Sequence, residues 1–176
     1  MYSWLLTSFT LFRSRRGALY GSLLLSLLLL CGLSGCGAQR AQPGPHGKAP
    51  SAASKIMESA YSQLGARYRL GGDSPGKGFD CSGFVHWAYQ QQGIAVPRIT
   101  TDQARTGRLV APQEGLQVAD ILVFKNRQGP RGLHTGLYAG GGKFIHSPRQ
   151  GERVRTESLE ATYWKNTLIG ARRLVQ

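Results

Sequence analysis

Gly78-Phe79-Asp80-Cys81-Ser82-Gly83-Phe84-Val85 is the stretch on which the reading of this chain turns. Asp80 is a good helix N-cap, because a short carboxylate can accept from the open amides of a first turn. Behind it Phe84, Val85, Ala88 and Tyr89 recur at helical spacing and form one apolar face, and Gly93 ends the helix. Cys81 therefore opens a helix. The dipole and unpaired amides at that end favour a thiolate, which lowers the thiol pKa. Ser82 and Gly83 are small enough for backbone to approach a substrate carbonyl. The amide of Cys81 is then a candidate oxyanion donor.

A thiol nucleophile needs a base. His134 begins the apolar run Leu133 to Ala139, and His146 ends the run Lys143 to His146. Both runs have strand character, and Gly140-Gly141-Gly142 between them signals a hairpin. Neutral His134 could take the thiol proton and return one to a leaving amine. His146 could hold the His134 ring in the right tautomer. A two-residue loop at Gly141-Gly142 would put the histidines on opposite faces of the sheet. An odd-length loop or a bulge puts them on one face, and consecutive glycines permit it. The reading requires that bulge.

Elsewhere the pattern predicts a helix from Ser54 to Leu64, with Ile56, Met57, Ala60, Tyr61 and Leu64 at helical spacing and Gly65 as the stop. Ala66 to Leu70 reads as a short extended piece and Thr101 to Thr106 as a short helix. Ile121 to Lys125 and Leu168 to Val175 read as further strands. Helices followed by an antiparallel sheet make an α+β domain, here 54–176.

The chain has 176 residues and a net charge of +13. Arg13, Arg15 and Arg16 precede the apolar run at residues 18–33, as in a secretory signal. The run is short for a spanning helix, which needs about 20 residues. Leu33-Ser34-Gly35-Cys36 resembles a bacterial lipobox. The resemblance implies removal of residues 1–35, lipidation of Cys36, and a membrane partner through that lipid. Gly37, in place of a retaining aspartate, implies the outer membrane. Residues 36–53, rich in Gly, Ala, Pro and Ser, read as a flexible tether. With Cys31 discarded and Cys36 acylated, Cys81 is the one thiol left in an oxidising compartment. A buried structural cysteine is the plain alternative. The basic charge favours an anionic partner or serves solubility alone. No run of basic residues interleaved with aromatics or zinc-finger spacing points to nucleic acid.

Tyr68-Arg69-Leu70-Gly71-Gly72 together with residues 78–85 resembles the core of the NlpC-type cell-wall cysteine peptidase family. His134-Thr135-Gly136-Leu137-Tyr138 and Phe144-Ile145-His146 are similar to its second half. The resemblance implies a compact papain-like fold and a Cys81-His134-His146 triad. It also implies hydrolysis of peptidoglycan stem peptides, between D-glutamate and a diamino acid or at the cross-link between D-alanine and diaminopimelate. It assigns Tyr68 to the oxyanion or the substrate, and Asp80 and Ser82 to a substrate amine, with helix capping as their plain alternative. Pro97-Arg98, Thr101 and Gln103 match a loop read as structural. Two residues depart from the pattern: Ala119 stands before Asp120 where glycine is usual, and Thr135 replaces a valine. Residues 126–132 form a basic insert before His134. His86 and His46 are read as non-catalytic, and Trp87 and Trp164 as core or groove wall.

No cofactor or metal is called for, and no protein partner can be named. An amidase or acyltransferase of the same Cys-His chemistry and a non-catalytic wall-binding lipoprotein are the alternatives. A zinc site is weaker, since close ligand pairs are lacking.

Overall fold

The computed structural model describes residues 50–111, 114–126 and 132–176. The signal segment, Cys36 and most of the basic insert lie outside them.

Ser51 caps the first helix by accepting from the Ser54 amide at 3.1 Å, so α1 runs Ala52–Ser62. It starts two residues ahead of the expected position because the cap lies inside the stretch read as tether. Ile56, Met57 and Ala60 form its buried face. Two short strands follow, β1 (Asp73–Ser74) and β2 (Gly78–Phe79), paired antiparallel. They lead into α2 (Cys81–Gln90), which Asp80 caps through the Gly83 amide at 2.7 Å. Gly93 follows at φ +69°, the left-handed stop its position suggested. The next helix, α3 (Thr100–Gln103), is shorter than expected.

Six strands form the main sheet: β3 (Arg108–Leu109), β4 (Ile121–Lys125), β5 (Leu133–Gly140), β6 (Lys143–His146), β7 (Arg155–Ser158) and β8 (Leu168–Arg173). Their order is β3-β8-β4-β5-β6-β7 and every pairing is antiparallel. A short helix, α4 (Thr162–Thr167), lies between β7 and β8.

Side-chain alternation divides the core in two. Ile121, Leu137 and Ile145 pack with Ile56, Phe84, Val85 and Tyr89 of the helices. Leu122, Phe124 and Phe144 form a second cluster, with Trp164 of α4 against it. Both faces are covered, so Ile121 to Phe124 are buried in succession. Removing a side chain such as Phe124 from water is worth about 2–3 kcal/mol. The β5–β6 ladder pairs Leu137 with Ile145 and Tyr138 with Phe144, then shifts register so that Gly140 meets Lys143. This is the required bulge. Gly140, Gly141 and Gly142 all have positive φ, so the turn uses the freedom that glycine alone supplies cheaply.

Candidate active site

The turn into α2 is held by a polar cluster. Asp80 is buried, and its carboxylate accepts from the amides of Gly71 at 2.8 Å and Gly83 at 2.7 Å, and from Ser82 Oγ at 3.3 Å. Arg98 adds Nη1 to Oδ1 and Nη2 to Oδ2, both at 2.9 Å. The same two nitrogens also reach Ser82 Oγ (Nη1, 3.1 Å) and the Gly72 carbonyl (Nη2, 3.0 Å). Gly83 has no room for a side chain, because a Cβ there would collide with the Gly72 carbonyl. Gln103 is fully buried: its amide nitrogen donates to the carbonyls of Ser82 and Pro97, and its oxygen accepts from Thr135 Oγ1 at 2.8 Å. Residues read as a structural loop thus tie the head of α2 to β5. Thr135 supplies the hydroxyl that closes this link, a hydrogen bond that valine could not make.

The two histidines share a face. His134 Nε2 and His146 Nδ1 are 2.7 Å apart, and both rings are buried. Gly136 makes room for this, since a Cβ there would lie 3.1 Å from the His146 Cβ and 2.9 Å from the Phe144 ring. Trp164 lies against both imidazoles, 5.6 Å from His134 and 4.8 Å from His146 between ring centroids. Its indole nitrogen donates to Glu157 of β7. Two nitrogens bonded to one another cannot both ligate zinc through those atoms, which weakens the metal alternative.

Cys81, His134 and Tyr68 line one groove of about 1140 Å³, with Trp164, Tyr163, Arg149, Arg155 and Glu157 among its other walls. A parallel bridge to Phe79 fixes Tyr68 beside the turn into α2. His86 lies outside the groove lining, and its Nδ1 is bonded to the Val96 carbonyl. Glu157 sits 3.8 Å from His146 Nε2. Nothing in the sequence singled it out, because its strand is short and polar.

The electrostatics correct one expectation. The Cys81 thiol was expected low; burial pushes it up to about 11, reinforced by the Asp80 charge. Hydrogen bonds from the Thr135 backbone on β5, and from the Ser82 and Cys81 backbone at the helix start, pull it down, but by less. Burial lowers His134 to about 4. His146 is lowered well below the usual histidine range, first by burial, then by His134 and Arg155. At neutral pH the site therefore rests as a neutral thiol and two neutral imidazoles. Tyr68 is raised, by burial first and by Cys81 and Asp80 next, so its phenol keeps its proton.

A cysteine heading a helix, set in one groove with a histidine hairpin on an antiparallel sheet, defines the papain-like class of α+β thiol hydrolase domains. Within that class, the NlpC/P60 family model matches residues 65–173. This chain belongs to the NlpC/P60 family. It is 39% identical over 131 residues to the murein DD-endopeptidase MepH of Escherichia coli (strain K12), covering 73% of this chain and 48% of that protein. It is 38% identical over 122 residues to the gamma-D-glutamyl-L-lysine dipeptidyl-peptidase of Bacillus subtilis (strain 168), covering 69% and 40%. The crystal structure of an NlpC/P60 family protein from Bacillus cereus ATCC 10987 superposes with a TM-score of 0.64 at 36% identity, over 70% of this chain and 40% of that one. The chain thus spans about half the length, or less, of these relatives.

Proposed function

We propose that the protein is a peptidoglycan hydrolase that cuts a peptide bond of wall stem peptides through Cys81, His134 and His146. The observation that carries this reading is the His134–His146 hydrogen bond beside the groove that Cys81 lines. One relative is named a murein DD-endopeptidase and another a gamma-D-glutamyl-L-lysine dipeptidyl-peptidase, and the reading leaves the scissile bond open between the two kinds expected from the sequence.

His134 Nε2 is engaged by His146, so Nδ1 is the nitrogen left to act as base. It takes the Cys81 proton as sulfur attacks the scissile carbonyl, and the Nε2–H bond to His146 steadies the imidazolium that forms. The Cys81 amide and the protonated Tyr68 hydroxyl face the developing oxyanion. His134 then protonates the leaving amine, and water attacks the thioester. Asp80 accepts five hydrogen bonds among the described residues. These bonds anchor the Cys81 turn; neither Asp80 nor Ser82 is among the residues that line the groove, so their geometry supports the capping role over contact with a substrate amine.

Digestion of purified muropeptides, read by mass spectrometry, tests the proposal. Wild-type protein should release fragments with a new amine at a diamino acid, and Cys81→Ala should release none. Identical products from the two proteins would refute it. Release of the stem peptide from its sugar would favour the amidase alternative. The same proposal places the mature protein on the outer membrane through lipid on Cys36. Cys36→Ala should move it from the membrane to the soluble fraction.

A further inference from the structure

His146 Nε2 is the one buried side-chain polar atom among the described residues without a hydrogen-bond partner. It is an orphan in a ring that is otherwise fully used. A buried polar group left in this way needs an explanation.

Glu157 supplies one. On β7 it pairs across the ladder with Phe144, while Arg155 pairs with His146. That register puts Glu157 on the His146 face, diagonal to the ring. Its Oε1 is 3.8 Å from Nε2, about 1 Å beyond a hydrogen bond. The carboxylate is not free to wander. Arg155 Nε donates to Oε1 at 2.7 Å and Trp164 Nε1 to Oε2 at 3.1 Å. Arg155 is itself held by Glu152, which Arg149 also grips. Catalytic hydrogen bonds are often long before substrate binds and tighten afterwards. Arg149, Glu152, Arg155, Glu157 and Trp164 all line the groove, so substrate entering it presses on this network.

We propose that Glu157 is a positioning residue that accepts the Nε2 proton of His146 and so fixes its tautomer. With the proton on Nε2, His146 Nδ1 carries a lone pair, which is what the Nε2–H of His134 requires. The other tautomer would set two N–H groups against each other, or force His134 to turn its protonated nitrogen toward Cys81. Arg155 is a cation beside a ring that must stay neutral, and Glu157 offsets it. The inference rests on the Cys81-His134-His146 reading.

Nitrogen NMR of the intact protein tests it without relying on turnover. His146 should carry its proton on Nε2 in the wild-type protein, and a proton on Nδ1 overturns the proposal at once. Glu157→Leu removes the acceptor at similar size. It should mix the two His146 tautomers and lower kcat by at least about tenfold, with KM within about twofold. Glu157→Gln keeps an acceptor oxygen and should rescue both the tautomer and most of kcat. Loss of kcat in both variants with an unchanged His146 signal would mean a merely structural role and reject the proposal. Should Glu157→Leu fail to fold, the wild-type spectrum and Glu157→Gln still decide. His146→Ala separates the two layers. If it leaves turnover intact, the triad reading fails, whatever Glu157 does.

Discussion

Arg98 closes a two-pronged fork on Asp80, the residue immediately before Cys81, with both contacts at 2.9 Å. The pair joins the loop after α2 to the turn that presents Cys81. Asp80 is nearly enclosed, with its side chain 11% exposed against 31% for Arg98. Removing the guanidinium leaves a carboxylate with amide donors but no cation. Arg98→Ala should therefore cost about 2–3 kcal/mol in urea unfolding at neutral pH, below the fully buried case because Arg98 reaches water. Arg98→Lys should recover less than half, since one ammonium cannot make the paired contact. Equal stability of Lys and Arg would contradict the role given to the fork.

The thiol at about 11 and His134 at about 4 make a second prediction. The two groups do not rest as an ion pair, so proton transfer accompanies attack. Alkylation of Cys81 by iodoacetamide should keep rising about tenfold per pH unit toward pH 11, where an ordinary thiol levels off near pH 9. On the acid side the sign follows from burial. The charged imidazole is disfavoured, so His134 stays neutral below the usual histidine range. kcat/KM should then hold down to about pH 5 and fall near pH 4. An alkylation plateau near neutral pH would show a preformed thiolate.

What the sequence made legible was local. Asp80 and Cys81 mark a helix start through cap chemistry and spacing. The glycines at 140–142 announce a hairpin whose bulge follows from asking His134 and His146 to share a face. The missed elements lack a local signal. Strands β1 to β3 are two residues long and show no periodicity, and β7 is a polar edge. Arg98 and Gln103 look like loop residues in the sequence because their partners, Asp80, Ser82 and Thr135, are distant along the chain. The sign of the Cys81 shift is hidden from the sequence for a related reason. Helix position is visible in a chain, but the cover that tertiary packing places over a thiol is not.

Ala119 gives a third prediction. It is fully buried with φ +72°, the one non-glycine residue at positive φ among the described residues. Its carbonyl accepts from the Tyr89 hydroxyl at 2.6 Å, and beside it Asp120 is paired with Arg173. The left-handed conformation costs an L-residue about 1–2 kcal/mol. Glycine would remove that strain but lose about 0.8 kcal/mol of methyl burial. It would also lose about 0.5–1 kcal/mol by freeing the unfolded chain. The terms nearly cancel, which explains how alanine is tolerated at a left-handed position. Ala119→Gly should leave stability within about 0.5 kcal/mol of wild type, and Ala119→Val should cost at least about 2 kcal/mol. A neutral valine in chemical denaturation would disprove the account of strain.

Gly136 tests whether the histidine pair depends on the strand beneath it. An alanine Cβ would lie 2.9 Å from the Phe144 ring, 3.0 Å from the Ile145 carbonyl and 3.1 Å from the His146 Cβ. Two of these neighbours are backbone or the root of a side chain, so β6 must move as a whole. Phe144 is locked between Phe124 and Trp164 and cannot absorb the shift alone. His146 then draws back from His134, and the 2.7 Å contact lengthens. Gly136→Ala should lower kcat by about 10–100-fold, as expected when a reacting group is misplaced by about 1 Å. The overpacking itself should cost only about 1–3 kcal/mol, leaving the fold intact by circular dichroism. Gly76→Ala, which meets no atom within 4 Å, is the matched control and should leave both quantities unchanged. Full activity in Gly136→Ala would show that turnover does not depend on the spacing between the two imidazoles.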